Sequence, residues 1–453
     1  MNLKDQLKTA LPILALLVLP FLVYSGIFGH AFIYNWDDYP YVLENEAIRG
    51  FTLAHLRAAF TGYFVGNYAP LHIVSYMLDY TLWGLNPAGY LFGNVLLHGI
   101  NGALFYLLCR GLIGSRAAAF VAAVIFICHP VQVESVAWIA QRKNLLAMCF
   151  FLLAFSRYIA WRESGRYGAY LLSLVCLALA LLSKSVAVIF PFVIILYDLC
   201  FDAGEGRPVR LRDKLPYLAV TLVVAFLALE SQQEQLGGGR RGYPGGTPLT
   251  ALYSMLPVLA GYLRDCLFPR GLLPFYMVPI RHTPDLAVLG AGCLAFLLVL
   301  LGWALFRRDR RLFFFCALFF VGLVPVSQIV PLIPLKNDRY LYFPLLGFAG
   351  FGAALLARAW QAVSRGRLAV VVIAALLLGP LPFLAHRQAA VWQDDITLWG
   401  YTVRNDPDNQ VGWLMLMKGY THRGDGRAAS GAYHRYVELK EKYGGPPRGW
   451  EGE

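Results

Sequence analysis

The sequence predicts an all-α, polytopic membrane protein, and three observations carry that prediction. Apolar residues make up 58% of 453 positions and charged residues only 15%, with a mean hydropathy of +0.55. A soluble domain carries roughly a quarter charged residues, so most of this surface has lipid as its solvent. The apolar residues are gathered in runs of about 20, the length a helix needs to cross the hydrocarbon core. Basic residues concentrate in alternate connections between the runs, the asymmetry that marks cytoplasmic loops.

Taken in order, the candidate spans are 9–32, 90–113, 117–135, 144–160, 168–183, 186–201, 215–231, 286–306, 312–334, 340–358 and 368–386, about eleven in all. The first run exceeds the apolar core of a signal peptide and lacks a small-residue cleavage site, so it reads as a retained helix. The basic groups are Lys4/Lys8, Arg110/Arg116, Arg157/Arg162/Arg166, Arg207/Arg210/Arg212/Lys214, Arg307/Arg308/Arg310/Arg311 and Arg358/Arg365/Arg367. These loops are assigned to the cytoplasm. An odd number of spans then puts the C-terminus outside, and 252–285 must be external, as a re-entrant or surface-lying segment.

The external side collects the unusual residues. It holds the long loop 33–89 with Asp37 and Asp38, the turn from His129 to Lys143, and Ser183-Lys184-Ser185. It also holds the glycine-rich stretch 237–246 and the segment Leu335 to Tyr340. Within the loop, Leu53–Phe60 and Leu71–Leu82 have helical periodicity, interleaved with Tyr68, Tyr76, Tyr80 and Trp83. Amphipathic helices along the headgroup layer fit that pattern.

The chain divides at about residue 390. Residues 1–390 form the membrane domain, and 391–453 form a short C-terminal helical extension. In 403–440, the residues Trp413, Leu416, Tyr420, Gly424, Ala429, Tyr433 and Tyr436 approximate one tetratricopeptide (TPR-like) helix pair. A generic helical hairpin fits the same residues. One repeat cannot bury its own apolar face, so it must dock on the membrane domain or on another chain.

The net charge of +12 is dispersed among loops, which suits membrane orientation and anionic lipid headgroups and excludes a nucleic-acid partner. The 8 cysteines contain no CxxC pair and read as small membrane hydrophobes.

The external cations at membrane depth are Arg142, Lys143, Lys184, Arg264, Lys336 and Arg339. Such a cluster is costly without an anion. Phosphate attached to a lipid is the fitting ligand: guanidinium engages its oxygens in pairs and Lys adds a point charge. A carboxylate across the pocket supplies a general base. The sequence leaves plainer roles open: snorkelling for Arg142, Lys143 and Lys184, and helix capping for Asp37-Asp38. Others are an Arg264–Asp265 pair, an Arg339–Asp338 pair, a hydrogen-bonded His129 at a helix end, and Glu134 paired with Arg142 or Lys143.

The string from His129 to Leu146 (HPVQVESVAWIAQRKNLL) resembles the most specific segment of the transmembrane-and-tetratricopeptide O-mannosyltransferases. So do Asn35-Trp-Asp-Asp38, Tyr68-Ala-Pro-Leu71, Gly84 to Tyr90, Leu182 to Val188, Asp338 to Pro344 and Trp392 to Trp399. The resemblance implies a GT-C glycosyltransferase fold and a polyprenyl-phosphate-sugar donor. It implies Asp37 as the base that accepts the acceptor's hydroxyl proton, with Asp38 orienting acceptor or sugar. Arg142, Lys143, Lys184 and Arg339 would hold the donor phosphate, and His129, Glu134 and Tyr340 would shape the sugar and acceptor pocket. The expected reaction moves a mannose-like hexose to an acceptor hydroxyl, a protein Ser or Thr, with inversion in one displacement. Two departures bear on it. The family carries many repeats where this chain has at most one, and Asn144 stands where an acidic residue is common.

No cofactor is expected. Asp37, Asp38, His129 and Glu134 offer donors for a divalent metal, but with several cations already beside the phosphate it would be redundant. The partners are then the lipid-linked sugar, an acceptor protein or glycan, and the bilayer, with the site on the periplasmic side of a bacterial inner membrane. A lipid or glycan acceptor, or a non-catalytic scaffold or transporter for the same lipid phosphate, are the competing readings.

Overall fold

The computed structural model describes residues 3–202, 209–235, 242–363 and 366–445. Every regular element among them is helical, apart from a single bridge between Phe64 and Asn67. Each candidate span contains a helix. Among the described residues, six helices are long and apolar enough to cross a membrane: Pro87–Ile113, Ile139–Ser164, Ser185–Asp202, Leu211–Gln233, Leu286–Arg308 and Arg367–Trp392. A seventh is counted if Arg116–Cys128 and Pro130–Ala137, bent by 53°, form one span.

The difference from about eleven has local causes. Pro130 forces His129 to an extended conformation (φ −73°, ψ 129°) and breaks the 117–135 run there. In the 312–334 run, helix Arg310–Leu323 stops short, because Pro325, Pro331 and Pro334 cannot donate to a continuing ladder. The first and fifth runs are helical but short, with apolar stretches Ala10–Val23 and Tyr167–Ser183. The expected loop helices are present as Leu53–Thr61 and Pro70–Trp83. Much of the glycine-rich stretch, Arg207, Arg365 and the last eight residues lie outside the described residues.

Polar side chains fasten the helices from inside. On Pro87–Ile113, Asn94 donates to the Val136 carbonyl (3.1 Å), and Asn101 donates to the Leu145 carbonyl (3.0 Å) and to Tyr342 Oη (3.1 Å). Such bonds join helices where lipid offers no water as an alternative. Small residues allow the closest approach: a Cβ on Gly347 would lie 2.3 Å from the Phe319 nitrogen. Helices Arg310–Leu323 and Pro344–Ala362 therefore pack backbone against backbone at this point.

The ends of the helices differ in chemistry. Helix Arg142–Ser164 has 23 residues and so reaches about 34 Å. At its far end, Arg162 pairs with Asp202 (2.5 Å) and Asp198 (3.7 Å), Lys214 pairs with Asp198, and Tyr158 donates to Asp198 (2.7 Å). Arg310 and Arg311 bond the carbonyls of Leu199 (2.7 Å) and Ile113 (3.1 Å) at that same end. The opposite end carries Lys143, Lys184 and Arg339. Of the last helices, Asp395–Asn405 and Gln410–His422 pack against the first loop there, and Gly426–Tyr443 packs on Gln410–His422.

A cavity at the junction of loop, helix ends and C-terminal hairpin

The segment after the first helix is pinned by Asp38. Its two carboxylate oxygens accept from the Ile33 nitrogen (2.9 Å) and the Ala140 nitrogen (2.8 Å). This fastens the acidic loop to the turn that precedes helix Arg142–Ser164. Burial pushes the Asp38 carboxyl up to about 7, against the pull of those two N–H groups. Asp37, one residue earlier, is free of that duty. Its side chain is 22% exposed and stands 3.9 Å from Lys143 Nζ.

A cavity of about 430 Å³ opens beside it, lined among others by Trp36, Asp37, Lys143, Lys184, Arg339 and Tyr340. Each cation comes from a helix end. Lys143 lies in the first turn of Arg142–Ser164 and donates to Tyr41 Oη (3.1 Å). Lys184 follows helix Tyr167–Ser183 and donates to Asn144 Oδ1 (2.7 Å). Among the described residues it has no carboxylate partner. Burial, with Lys143 and Arg339 nearby, holds its ammonium well below the usual lysine range. Arg339 sits in the turn Asp338–Leu341 and is clamped by Glu134, which accepts from both its backbone nitrogen (2.7 Å) and its guanidinium. The guanidinium lies over the rings of Trp138 (5.4 Å) and Trp36 (5.9 Å).

Five of the nine residues singled out from sequence thus share one cavity: Asp37, Lys143, Lys184, Arg339 and Tyr340. The other four are not among its lining residues. Asp38 is spent on backbone N–H groups. Arg142 is fully engaged elsewhere, with Asp79 (2.7 Å), the Tyr90 carbonyl (2.5 Å) and Asn94 Oδ1. His129 bonds the Cys266 carbonyl through Nε2 (2.8 Å), the helix-end role. Glu134 stands behind Arg339 rather than pairing with Arg142 or Lys143. Arg339 therefore takes Glu134 and not Asp338, which accepts from Tyr276 Oη (2.7 Å). Arg264 and Lys336 both pair with Asp265 (2.7 and 2.6 Å).

The donors considered for a metal do not face one point, since Asp38, His129 and Glu134 are committed to other partners. Among the described residues no three His, Cys, Asp or Glu side chains gather as a metal-ligating group. The sequence reading missed Met415 and Lys418, which reach the cavity from the C-terminal hairpin, as well as Asn67 and Gln232. Nothing local in the chain marks them; only docking of the hairpin brings the first two there.

Comparison with known proteins gives a consistent picture. Residues 70–229 match the family model described as dolichyl-phosphate-mannose-protein mannosyltransferase. Protein O-mannosyl-transferase Tmtc1 of Drosophila melanogaster is 31% identical over 203 residues, covering 43% of this chain and 23% of that protein. Protein O-mannosyl-transferase TMTC3 of Mus musculus is 24% identical over 432 residues, covering 83% of this chain and 46% of its own length. The chain thus spans less than half the length of these curated relatives. Among solved structures, the apo oligosaccharyltransferase of Archaeoglobus fulgidus superposes with a TM-score of 0.51 at 16% identity, covering 92% of this chain and 60% of that one. The chain is TMTC-like in sequence, shares the fold of that oligosaccharyltransferase and has the apolar helices of a multi-pass membrane protein.

Proposed function

We propose that this protein is an inverting membrane glycosyltransferase that moves a hexose, mannose by analogy with its relatives, from a polyprenyl phosphate to a hydroxyl of a protein Ser or Thr. One observation carries the reading: a partly exposed carboxylate, Asp37, and three cations, Lys143, Lys184 and Arg339, line the same cavity.

The parts divide by charge. Asp37 accepts the proton of the acceptor hydroxyl. The hydroxyl oxygen forms its bond to the anomeric carbon as the bond to the phosphate oxygen breaks, on the opposite face. The electron pair of that bond stays on the departing lipid phosphate, where negative charge grows and Lys184 and Arg339 stabilise it. Lys143 stands beside the Asp37 carboxylate, 3.9 Å away. A single base and a good leaving group make a covalent intermediate unnecessary. The cations already meet the charge that a metal would meet, so the proposed reaction runs without one.

Asp38, Glu134, Arg142 and His129 enter as positioning residues: Asp38 fixes the acidic loop, Glu134 aims Arg339, and the other two tie the intervening helices. The site faces the non-cytoplasmic side, which in a bacterial inner membrane is the periplasm. Tyr340 lines the sugar end of the cavity.

Asp37→Asn keeps shape and removes the base. Transfer from a labelled polyprenyl-phosphate hexose to hydroxyl peptides is expected to fall by about 10²–10⁴-fold, with binding of polyprenyl phosphate retained. Normal turnover by this variant removes Asp37 from the role. Transfer to a glycan or lipid and not to peptide corrects the acceptor class alone.

A further inference from the structure

The C-terminal hairpin forms part of the cavity wall, and the reaction as described makes no use of it. Three consecutive residues of the acidic loop grip it. Tyr34 stacks on His422 with ring centroids 3.7 Å apart. Asn35 donates from its backbone nitrogen to Asp395 Oδ1 (3.2 Å) and from Nδ2 to the Met415 carbonyl (2.7 Å), and its Oδ1 accepts from Trp399 Nε1 (3.0 Å). Trp36 packs on Trp399 at 5.0 Å. Asp37 is the next residue.

The same clasp fixes where Lys418 stands. Met415 and Gly419 both face Asn35; a Cβ on Gly419 would lie 3.5 Å from Asn35 Nδ2. Lys418 lies between them on helix Gln410–His422, three residues after Met415 and so on a neighbouring face. Met415 and Lys418 both line the cavity. Lys418 is therefore a cation on the Asp37 side.

Charge balance then assigns it a partner. Of the cavity cations, Arg339 is paired with Glu134 and Lys143 stands beside Asp37. Lys184 and Lys418 have no carboxylate partner among the described residues. A sugar phosphodiester brings one negative charge, which Lys184 meets. In an in-line displacement the base and the leaving phosphate lie on opposite faces of the anomeric carbon, so a cation held beside the base is turned away from the phosphate. It faces the incoming acceptor.

We propose that Lys418 selects acceptors: it binds an acidic side chain next to the reacting hydroxyl of the peptide. This rests on the acceptor being a peptide, as proposed above. The test uses the 453-residue chain in detergent and three fluorescent serine peptides that differ at one neighbouring position, Asp, Asn or Lys. Binding is read by anisotropy, without donor and without turnover. The protein is expected to bind the Asp peptide about tenfold more tightly than the Asn peptide. Lys418→Arg should keep that order. Lys418→Glu should lose it and gain affinity for the Lys peptide, a gain that misfolding cannot produce. Equal affinities in the unmodified protein, no binding of any peptide, or an unchanged order in Lys418→Glu each overturn the inference. Charge-dependent binding without sugar transfer leaves it standing and overturns the proposed reaction instead.

Discussion

A single residue, Lys184, shows how the cavity couples charge to binding. Its ammonium donates to Asn144 Oδ1 and has no carboxylate partner among the described residues, and burial with two neighbouring cations depresses its proton affinity. A bound phosphate supplies the missing negative charge and raises that affinity again. The sign follows: the free site holds fewer protons than the bound site, so binding takes up a proton and weakens as pH rises through the depressed pKa. Titration calorimetry with polyprenyl phosphate in two buffers of different ionisation enthalpy should show net proton uptake. Lys184→Arg stays charged at every accessible pH, so it should bind with little uptake and a flatter pH profile. Proton release, or equal uptake in the variant, removes Lys184 from the phosphate site. The neighbouring pair Arg142-Lys143 shows where residue-level reading stops. Adjacent helical residues point about 100° apart, so only one of two basic neighbours faces the cavity, and the sequence does not say which. Lys143 does, while Arg142 turns to Asp79, a partner 63 positions away in the chain.

At the scale of elements, the helices were legible because their signals are local. Apolar runs, proline breaks and the periodicity of Leu53–Thr61 and Pro70–Trp83 are all written within short windows. The cations were legible for a related reason: charge at the end of an apolar helix is rare enough to stand out. What was hidden is contact between distant elements. Glu134 behind Arg339 and Lys418 in the cavity wall depend on a pairing separated by 205 residues in the first case and on hairpin docking in the second. The hairpin was expected to need a docking surface, and the structure supplies one in the acidic loop. That gives a testable division of labour. Asn35→Ala removes two side-chain hydrogen bonds of the clasp without touching the cavity wall. Because small displacements of a catalytic group cost up to about 10²-fold, kcat should drop by roughly 10- to 100-fold. The KM for the donor should hold, since Lys184 and Arg339 are anchored elsewhere. A rise in donor KM with unchanged kcat speaks against the clasp as a positioning device.

Across the whole molecule, charge is segregated by depth. One end gathers Arg162 and Lys214 with Asp198 and Asp202 in a closed network, with Arg310 and Arg311 bonded to backbone carbonyls beside it. The other end gathers cations around a cavity with anionic partners for only some of them. A network that satisfies itself has no spare valence for a ligand; the cavity does. The two ends lie about 34 Å apart along helix Arg142–Ser164, the scale of a bilayer's hydrocarbon core. Loops rich in basic residues tend to stay in the cytoplasm, so the proposed orientation has the cavity opening on the far side. The geometry makes that sidedness measurable. Thr61, at the end of loop helix Leu53–Thr61, and Ser164, at the end of Arg142–Ser164, are both exposed and lie at opposite ends of the fold. With the 8 native cysteines replaced by Ala or Ser, a membrane-impermeant maleimide should label Thr61→Cys in intact cells and Ser164→Cys only after permeabilisation. Labelling of both from one side breaks the assignment of faces. Labelling of Ser164→Cys alone inverts it and places the proposed site in the cytoplasm.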